Sequence, residues 1–533
     1  MIFLRYELIG KSNIDNPVET FLENREVDRK LFKIGEEVVL DYNLLDNIQA
    51  GIDILLKNID KKICVIVDPD CDGYTSSALL WNKLKEEYPD VDLSYKIHTG
   101  KQHGLTKDIV IEDFSLVVLP DSGSNDYKQH EELVNRGIDV LVLDHHEADG
   151  GYSKFAVTIN NQLSEYPNKQ LSGVGIVYKF LCALDEYNFT DGSDKYLDLV
   201  ALGNIADMMN MKSEESRYLA KKGLKNINNT FLQALVDENE YDLDGKMNFE
   251  KIGWTIAPKL NGTIRSGNML EKEQMFKAFI SDDYDFCLET AKMCKNIKAK
   301  QDRQVKAAMT QLDKSVKFTK IGKCLIVDTG KVNASFRGLV ASKLVDKYGV
   351  PCLLYSDKGG GLVGGSFRGC SFTDNLRDDL LKCPVVTMAQ GHGNAGGWEV
   401  KKDDLGALED FLNELYKDED VEVGKVHKVD FEVNANDLTR DFVEALADYE
   451  SECGNGIDFP LVLIREVVVE DLNIGRTNVV FKSGDIKFLK KFATKVMKDS
   501  FGEGVLLDVI GKCTVNTFDG AGQIEIVDLE FLC

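Results

Sequence analysis

The apolar run Cys64-Val65-Ile66-Val67 leads straight into Asp68-Pro69-Asp70-Cys71-Asp72-Gly73, so a buried-looking strand ends in three carboxylates at alternate positions and a glycine turn. In an extended chain, residues i, i+2 and i+4 share a face, so Asp68, Asp70 and Asp72 converge if the backbone stays extended through the motif. Carboxylates held that close repel one another, and a divalent cation is the natural remedy. Taken by itself the motif reads equally well as an acidic turn at a sheet edge.

Two more segments repeat the pattern. Residues 114–119 are apolar and end in Pro120-Asp121-Ser122-Gly123-Ser124, and residues 138–143 end in Asp144-His145-His146-Glu147. The carboxyl ends of strands in a parallel α/β sheet line one crevice, where ligands bind in doubly wound folds. Asp121, Asp144, His145 and His146 are therefore expected to face the first cluster. Only seven histidines occur in the chain, and two are adjacent here. A helical apolar stretch, 196–206, carries Asp207 at its end, where an acid is more often a cap than a ligand.

The order and spacing of these four segments resemble the DHH phosphoesterase superfamily, and Leu199-Val200-Ala201-Leu202-Gly203-Asn204-Ile205-Ala206-Asp207 followed by Arg217 narrows the resemblance to its RecJ-like single-strand-specific exonucleases. Pro258-Lys259-Leu260-Asn261-Gly262-Thr263-Ile264-Arg265 is similar to a further segment of that branch, with Ile264 in place of a glycine. Gly364-Gly365-Ser366-Phe367-Arg368-Gly369 and Gln390-Gly391-His392-Gly393-Asn394-Ala395-Gly396-Gly397 resemble the two signatures of the associated DHHA1 domain. Glycines let a backbone approach an anion closely, and Ser366, Arg368 and His392 carry hydroxyl, guanidinium and imidazole donors suited to phosphate. Residues 333–342 match the family's intervening helix start loosely, with Ser335 where a glycine is usual.

The resemblance implies two divalent cations, Mn²⁺ or Mg²⁺, on Asp68, Asp70, Asp72, Asp121, His145 and Asp207. Asp144 would orient a histidine, and His146 would contact the scissile phosphate or protonate the leaving oxygen. Arg265, Ser366, Arg368, His392 and Lys101 are the candidate ligands of substrate phosphate. The implied activity is a 5′-3′ exonuclease that degrades single-stranded DNA to mononucleotides in repair, recombination or replication. A phosphodiesterase for short oligonucleotides or cyclic dinucleotides would use the same site chemistry, and a non-catalytic replication or repair scaffold is a third reading. The partners expected are single-stranded DNA and a single-strand-binding protein or helicase, with no membrane.

Composition bears on this at two points. The net charge of −25 over 533 residues runs against a generally basic nucleic-acid surface, yet a substrate channel needs only a local basic lining, and bound cations offset acids of the site. The twelve cysteines lie singly in apolar segments without CxxC pairs, and 1–7 shows no signal-peptide pattern, so a cytoplasmic, reduced protein is expected.

The fold class expected is α/β, a doubly wound, mainly parallel DHH sheet joined by a long helix to a DHHA1 α/β lobe, with a C-terminal OB-like β-barrel. The divisions are a lead-in at 1–45, the DHH domain at 46–215, a helical bridge at 216–318, DHHA1 at 319–415, and the OB-like domain at 425–533. Phe481, Phe488, Lys490, Lys491 and Phe492 are the barrel's candidate contacts to a single strand, although composition favours a core role for the phenylalanines.

Overall fold

The computed structural model describes residues 4–100, 102–106, 109–316, 322–330, 332–421, 426–516 and 520–532, with the backbone alone described for 313–316 and 392. Lys101 and the turn residues Thr517, Phe518 and Asp519 lie outside the described residues. The chain divides into two compact units, one made chiefly of Leu8–Asn296 with Lys428–Cys533 and the other chiefly of Ile297–His427.

The first unit is built on a five-stranded sheet: β1 (Lys62–Val67), β2 (Asp92–Ile97), β3 (Leu116–Pro120), β4 (Asp139–Asp144) and β5 (Val157–Asn160), in the order β2-β1-β3-β4-β5. Every neighbouring pair is parallel. Alternate residues of the central strands feed two cores. Ile63, Val65, Val67, Leu116, Val118, Leu141 and Leu143 face one, and Cys64, Ile66, Val117, Leu119, Val140 and Val142 face the other. Helices α1 (Ile48–Asn58) and α2 (Cys71–Glu87) pack in the first core and α3 (Tyr127–Asn135) in the second. Burial on both faces explains why β1, β3 and β4 read as unbroken apolar runs. The strand order reverses between β1 and β3, which is where such sheets open a crevice at their carboxyl ends. Helices α4 (Gly173–Asn188), α5 (Leu197–Ala206) and α6 (Ala257–Ser266) are among the further helices of this unit.

The extended course expected for Asp68, Asp70 and Asp72 does not occur. Strand β1 stops at Val67, and Asp70 is the N-cap of α2, its carboxylate accepting from the Gly73 N–H at 2.9 Å. Asp-x-Asp-Gly is a helix-start sequence as much as a strand end, and satisfying the orphan N–H groups of α2 wins. Helix α2 accordingly starts at Cys71, inside the motif itself.

In the second unit, helix α7 (Tyr284–Val316) supplies Val305, Ala308 and Leu312 to the core, and strands β6 (Leu325–Asp328), β7 (Cys352–Gly359), β8 (Leu362–Arg368), β9 (Val386–His392) and β10 (Ala395–Lys401) form a sheet ordered β9-β10-β8-β7-β6. Its β6/β7 pair is parallel and the rest antiparallel. Helix α8 (Arg337–Tyr348) packs on β7 and β8.

The C-terminal strands β11 (Phe431–Asn434), β12 (Leu461–Val468), β13 (Glu470–Ile474), β14 (Asn478–Ser483), β15 (Ile486–Lys491), β16 (Leu506–Val515) and β17 (Gly522–Phe531) form a seven-stranded, mostly antiparallel sheet. Phe481 and Phe488 are fully buried and stacked at 5.2 Å between centroids, so they are core residues and not platforms for bases. The N-terminal segment, expected as a lead-in at 1–45, contributes Phe21, Leu22, Val27 and Leu31 to this same core.

Candidate metal centre

The carboxyl ends of β1, β3 and β4 and the end of α5 bring the predicted acids and imidazoles together. The His145 Nε2 atom lies 3.2 Å from Asp121 Oδ1, 3.5 Å from Asp207 Oδ2 and 3.9 Å from Asp72 Oδ2. His145 Nε2 and both Asp121 oxygens are buried without a hydrogen-bond partner. Among the described residues, donor atoms fall into three trios, each within 4.8 Å: Asp121, His145 and His146; Asp72, His145 and Asp207; Asp68, Asp70 and His103. Orphaned buried oxygens around a ring nitrogen fit a divalent cation, because nothing else present satisfies them. A mixed carboxylate and imidazole set suits Mn²⁺ at least as well as Mg²⁺.

Local structure fixes each donor. Asp72 sits in the first turn of α2, and its carboxylate accepts from Ser172 Oγ (3.0 Å), Gly173 N (2.6 Å) and Val174 N (3.1 Å) at the start of α4. Those N–H groups and the positive end of that helix favour an anion there. Asp121 follows β3 with φ +64°, a strained conformation for an aspartate that aims its carboxylate inward. A Cβ on Gly173 would lie 2.4 Å from the Asp121 Cβ, so only glycine lets α4 approach so closely. Asp207 is the C-cap of α5. Asp144 accepts from Ser124 N, His145 N, His146 N and His146 Nδ1, the last at 2.8 Å. Both its oxygens are thus engaged in holding the histidine pair and their loop. Cys71, 1 % exposed, packs in the apolar core.

The electrostatics follow from burial and crowding. Burial first and then the neighbouring Asp70 charge push Asp72 up to about 7. Burial, Asp72 and Asp70 push Asp207 up to about 8. Asp121 is driven well above the usual carboxylate range by burial and four surrounding acids, and burial also raises Asp68. Burial and the adjacent His146 depress His145 to about 4, which leaves it a neutral ring with a lone pair to give. Burial opposes charge on His146, but the Asp144 bond and further carboxylates prevail and lift it to about 9. Asp144 is held well below the ordinary value, its burial outweighed by His146 and His145. One imidazole therefore stays neutral and its neighbour carries a proton.

Arg265 is exposed on α6. Ser366 and Arg368 share one face of β8 in the second unit, where Arg368 Nη2 lies against the start of α8, 2.6 Å from where a Gly338 Cβ would sit. His392 ends β9. Two residues near the metal trios were not among the predicted site residues. Asn261 Oδ1 accepts the Cys71 N–H at 3.1 Å and so helps cap α2. His103 Nδ1 lies 2.6 Å from Asp68 Oδ2. It follows β2, and the rule that strand carboxyl ends share a crevice was the available signal.

Residues 62–204 match the family model described as the DHH family, N-terminal domain. The "Putative SPbeta prophage-derived single-strand DNA-specific exonuclease YorK" of Bacillus subtilis is 34 % identical, with 99 % of this chain and 98 % of that protein covered. The single-stranded-DNA-specific exonuclease RecJ of Bacillus subtilis is 27 % identical over 88 % of this chain and 61 % of its own length. Among solved structures, RecJ of Thermus thermophilus in complex with Mn²⁺ matches 99 % of this chain and 79 % of that one, with a TM-score of 0.77 at 19 % identity. No helix among the described residues is long and apolar enough to cross a membrane.

Proposed function

The chain belongs to the RecJ-like single-strand-DNA-specific exonucleases of the DHH family, and from that premise we propose how its own residues carry out the reaction. It is a metal-dependent hydrolase of single-stranded DNA. Two divalent ions, Mn²⁺ or Mg²⁺, are held by Asp68, Asp70, Asp72, Asp121, His145 and Asp207. Such ions supply Lewis acidity toward phosphoryl oxygens and make water acidic enough to attack near neutral pH. The observation that carries this assignment is the His145 Nε2 atom, buried among three carboxylates with no hydrogen-bond partner.

In the metal-free chain His146 holds a proton at neutral pH, because Asp144 binds its Nδ1. That proton serves a phosphoryl oxygen or the leaving oxygen, while Asp144 fixes the ring's orientation. Ser366 and Arg368, with His392, Arg265 and Lys101, are read as the holders of a terminal phosphate. The guanidinium beside the start of α8 supports this, since a helix N-terminus and an arginine both favour an anion. Holding a 5′ phosphate there gives 5′-3′ polarity and mononucleotide products.

The domain limits 46–215, 319–415 and 425–533, helix α7 as the joining element, and an OB-like nature for the C-terminal sheet belong to the same reading. It also includes a cytoplasmic location, a role in repair, recombination or replication, and a single-strand-binding protein or helicase as supplier of substrate. The free thiols among the described residues are in keeping with a reducing compartment.

Digestion of end-labelled single-stranded DNA with Mn²⁺, beside matched RNA, duplex, a dinucleotide and a cyclic dinucleotide, tests the function. Mononucleotides released from the 5′ end of long single strands, and absent with Asp121→Ala, are the expected result. Activity confined to the dinucleotides would refute it in favour of the small-nucleotide branch.

A further inference from the structure

The trio Asp68, Asp70 and His103 is not accounted for by the ligand set above, which gives those two acids no nitrogen donor. We propose that His103 is itself a ligand of this metal centre and biases it toward Mn²⁺ over Mg²⁺. The proposal rests on the metal-centre reading of the preceding section.

His103 lies in the stretch between β2 and β3, and three contacts fix the turn that presents it. Gly104 N donates to Asp68 Oδ1 at 3.1 Å, and Leu105 N donates to Asp126 Oδ2 at 2.7 Å. The Leu105 side chain, 5 % exposed, is buried with Cys64, Ile66 and Val117 beneath the sheet. Gly104 has φ +66°, and a Cβ there would sit 2.2 Å from Asp126 Oδ2, so the turn is closed tightly against the loop after β3. The backbone next to His103 is therefore tied directly, through the Gly104 N–H, to the first carboxylate of the motif.

One donor atom from each of His103, Asp68 and Asp70 lies within 4.8 Å of the others. Imidazole nitrogen and carboxylate oxygen bind such ions at about 2.0–2.3 Å, so donors around one ion sit within about 4.5 Å of each other. His103 Nδ1 already lies 2.6 Å from Asp68 Oδ2, so an ion shared by the two would replace that contact, with the ring moving aside to admit it. The side chain is 60 % exposed, so it has room to make that movement. Its neighbours Asp68 and Asp70 belong to the same acid cluster as Asp121, whose two buried oxygens have no partner, and that cluster is short of positive charge. Nitrogen donors discriminate for Mn²⁺ and against Mg²⁺, which keeps to oxygen ligands and water. The simpler alternative is that His103 only donates a hydrogen bond that orients Asp68.

The test is Mn²⁺ titration of the chelator-stripped full chain, followed by the electron paramagnetic resonance signal of free Mn²⁺ and by calorimetry, with Mg²⁺ titrated in parallel. Wild type is compared with His103→Ala and His103→Gln, the second of which can still donate a hydrogen bond to Asp68. Both variants are expected to weaken at least one Mn²⁺ equivalent by about 10- to 100-fold, with Mg²⁺ affinity and metal-free melting nearly unchanged. Mn²⁺ isotherms superimposing on wild type in both variants would overturn the proposal. Loss in His103→Ala with full retention in His103→Gln would overturn it too, reducing His103 to a positioning residue. A wild-type chain that binds no Mn²⁺ would overturn the metal-centre reading itself, an outcome distinct from the other two.

Discussion

At the scale of single residues, the acids of the site are set against one another in the metal-free chain. Asp72 at about 7 and Asp207 at about 8 have folded values above the ordinary carboxylate 3.8. A group with a raised folded pKa contributes stability that is complete below its unfolded value and is lost as pH climbs through the folded one. The metal-free protein should accordingly lose stability between about pH 4 and pH 8. A bound cation takes the place of those protons, so the rise in melting temperature on adding Mn²⁺ should grow from pH 6 to pH 8. Scanning calorimetry across that range checks it, and a constant or shrinking shift would contradict the electrostatic account. Asp121→Asn follows from the same argument. It removes one buried carboxylate from among four others, so metal-free melting should rise while the Mn²⁺-induced shift collapses. Cleavage should fall by about 10²- to 10³-fold, the loss of several kcal/mol of charge stabilisation. A variant less stable than wild type without metal would show that Asp121 is not repelled there.

At the scale of elements, the site depends on how closely helices approach the strand ends. In Gly173→Ala the new methyl would meet Asp121 Cβ and Oδ1, each at 2.4 Å. Overpacking of that kind costs about 1–3 kcal/mol, and Asp121 would be displaced from His145. We expect both melting temperature and Mn²⁺ affinity to drop, as a thermal melt and a metal titration on one sample would reveal. Asn261→Ala should cost about 1 kcal/mol by uncapping α2 at Cys71, with a smaller effect on metal affinity. Much at this scale was legible in the sequence. The apolar runs ending at Val67, Pro120 and Leu143 announced a parallel sheet because burial on both faces leaves no polar alternation to obscure. The course of Asp70 and Asp72 was not legible, since their spacing is equally that of a strand and of a capped helix start. For His103 the position after β2 was the one signal, and its contact with Asp68 depends on the turn at Gly104.

At the scale of the whole molecule, the least legible feature is the place of the N-terminal segment, whose helix Pro17–Asn24 reads as an ordinary short amphipathic element. Its partners lie some 400 residues away: Phe21 is fully buried in the core with Phe431, Phe442 and Val462. Arg25 Nη2 bonds Asp430 Oδ2 at 2.8 Å. Asp430 is 0 % exposed, and burial lifts its carboxyl to about 6 even though Arg25 pulls the other way. With a raised folded pKa, its contribution to stability is present below about 4 and is lost as pH rises through 6. Arg25 limits that loss. Removing it strands a buried charge, at a cost of about 3–5 kcal/mol where the carboxyl is ionised. Arg25→Ala should therefore destabilise the C-terminal sheet strongly at pH 8 and only weakly at pH 5, where Asp430 takes up a proton. Hydrogen exchange of the β11 and β12 amides at the two pH values, corrected for intrinsic rates, reads this out, with Asp430→Asn in the Arg25→Ala background expected to restore protection at pH 8. Equal loss of protection at both pH values would mean that Arg25 acts through packing against its neighbours instead of through charge.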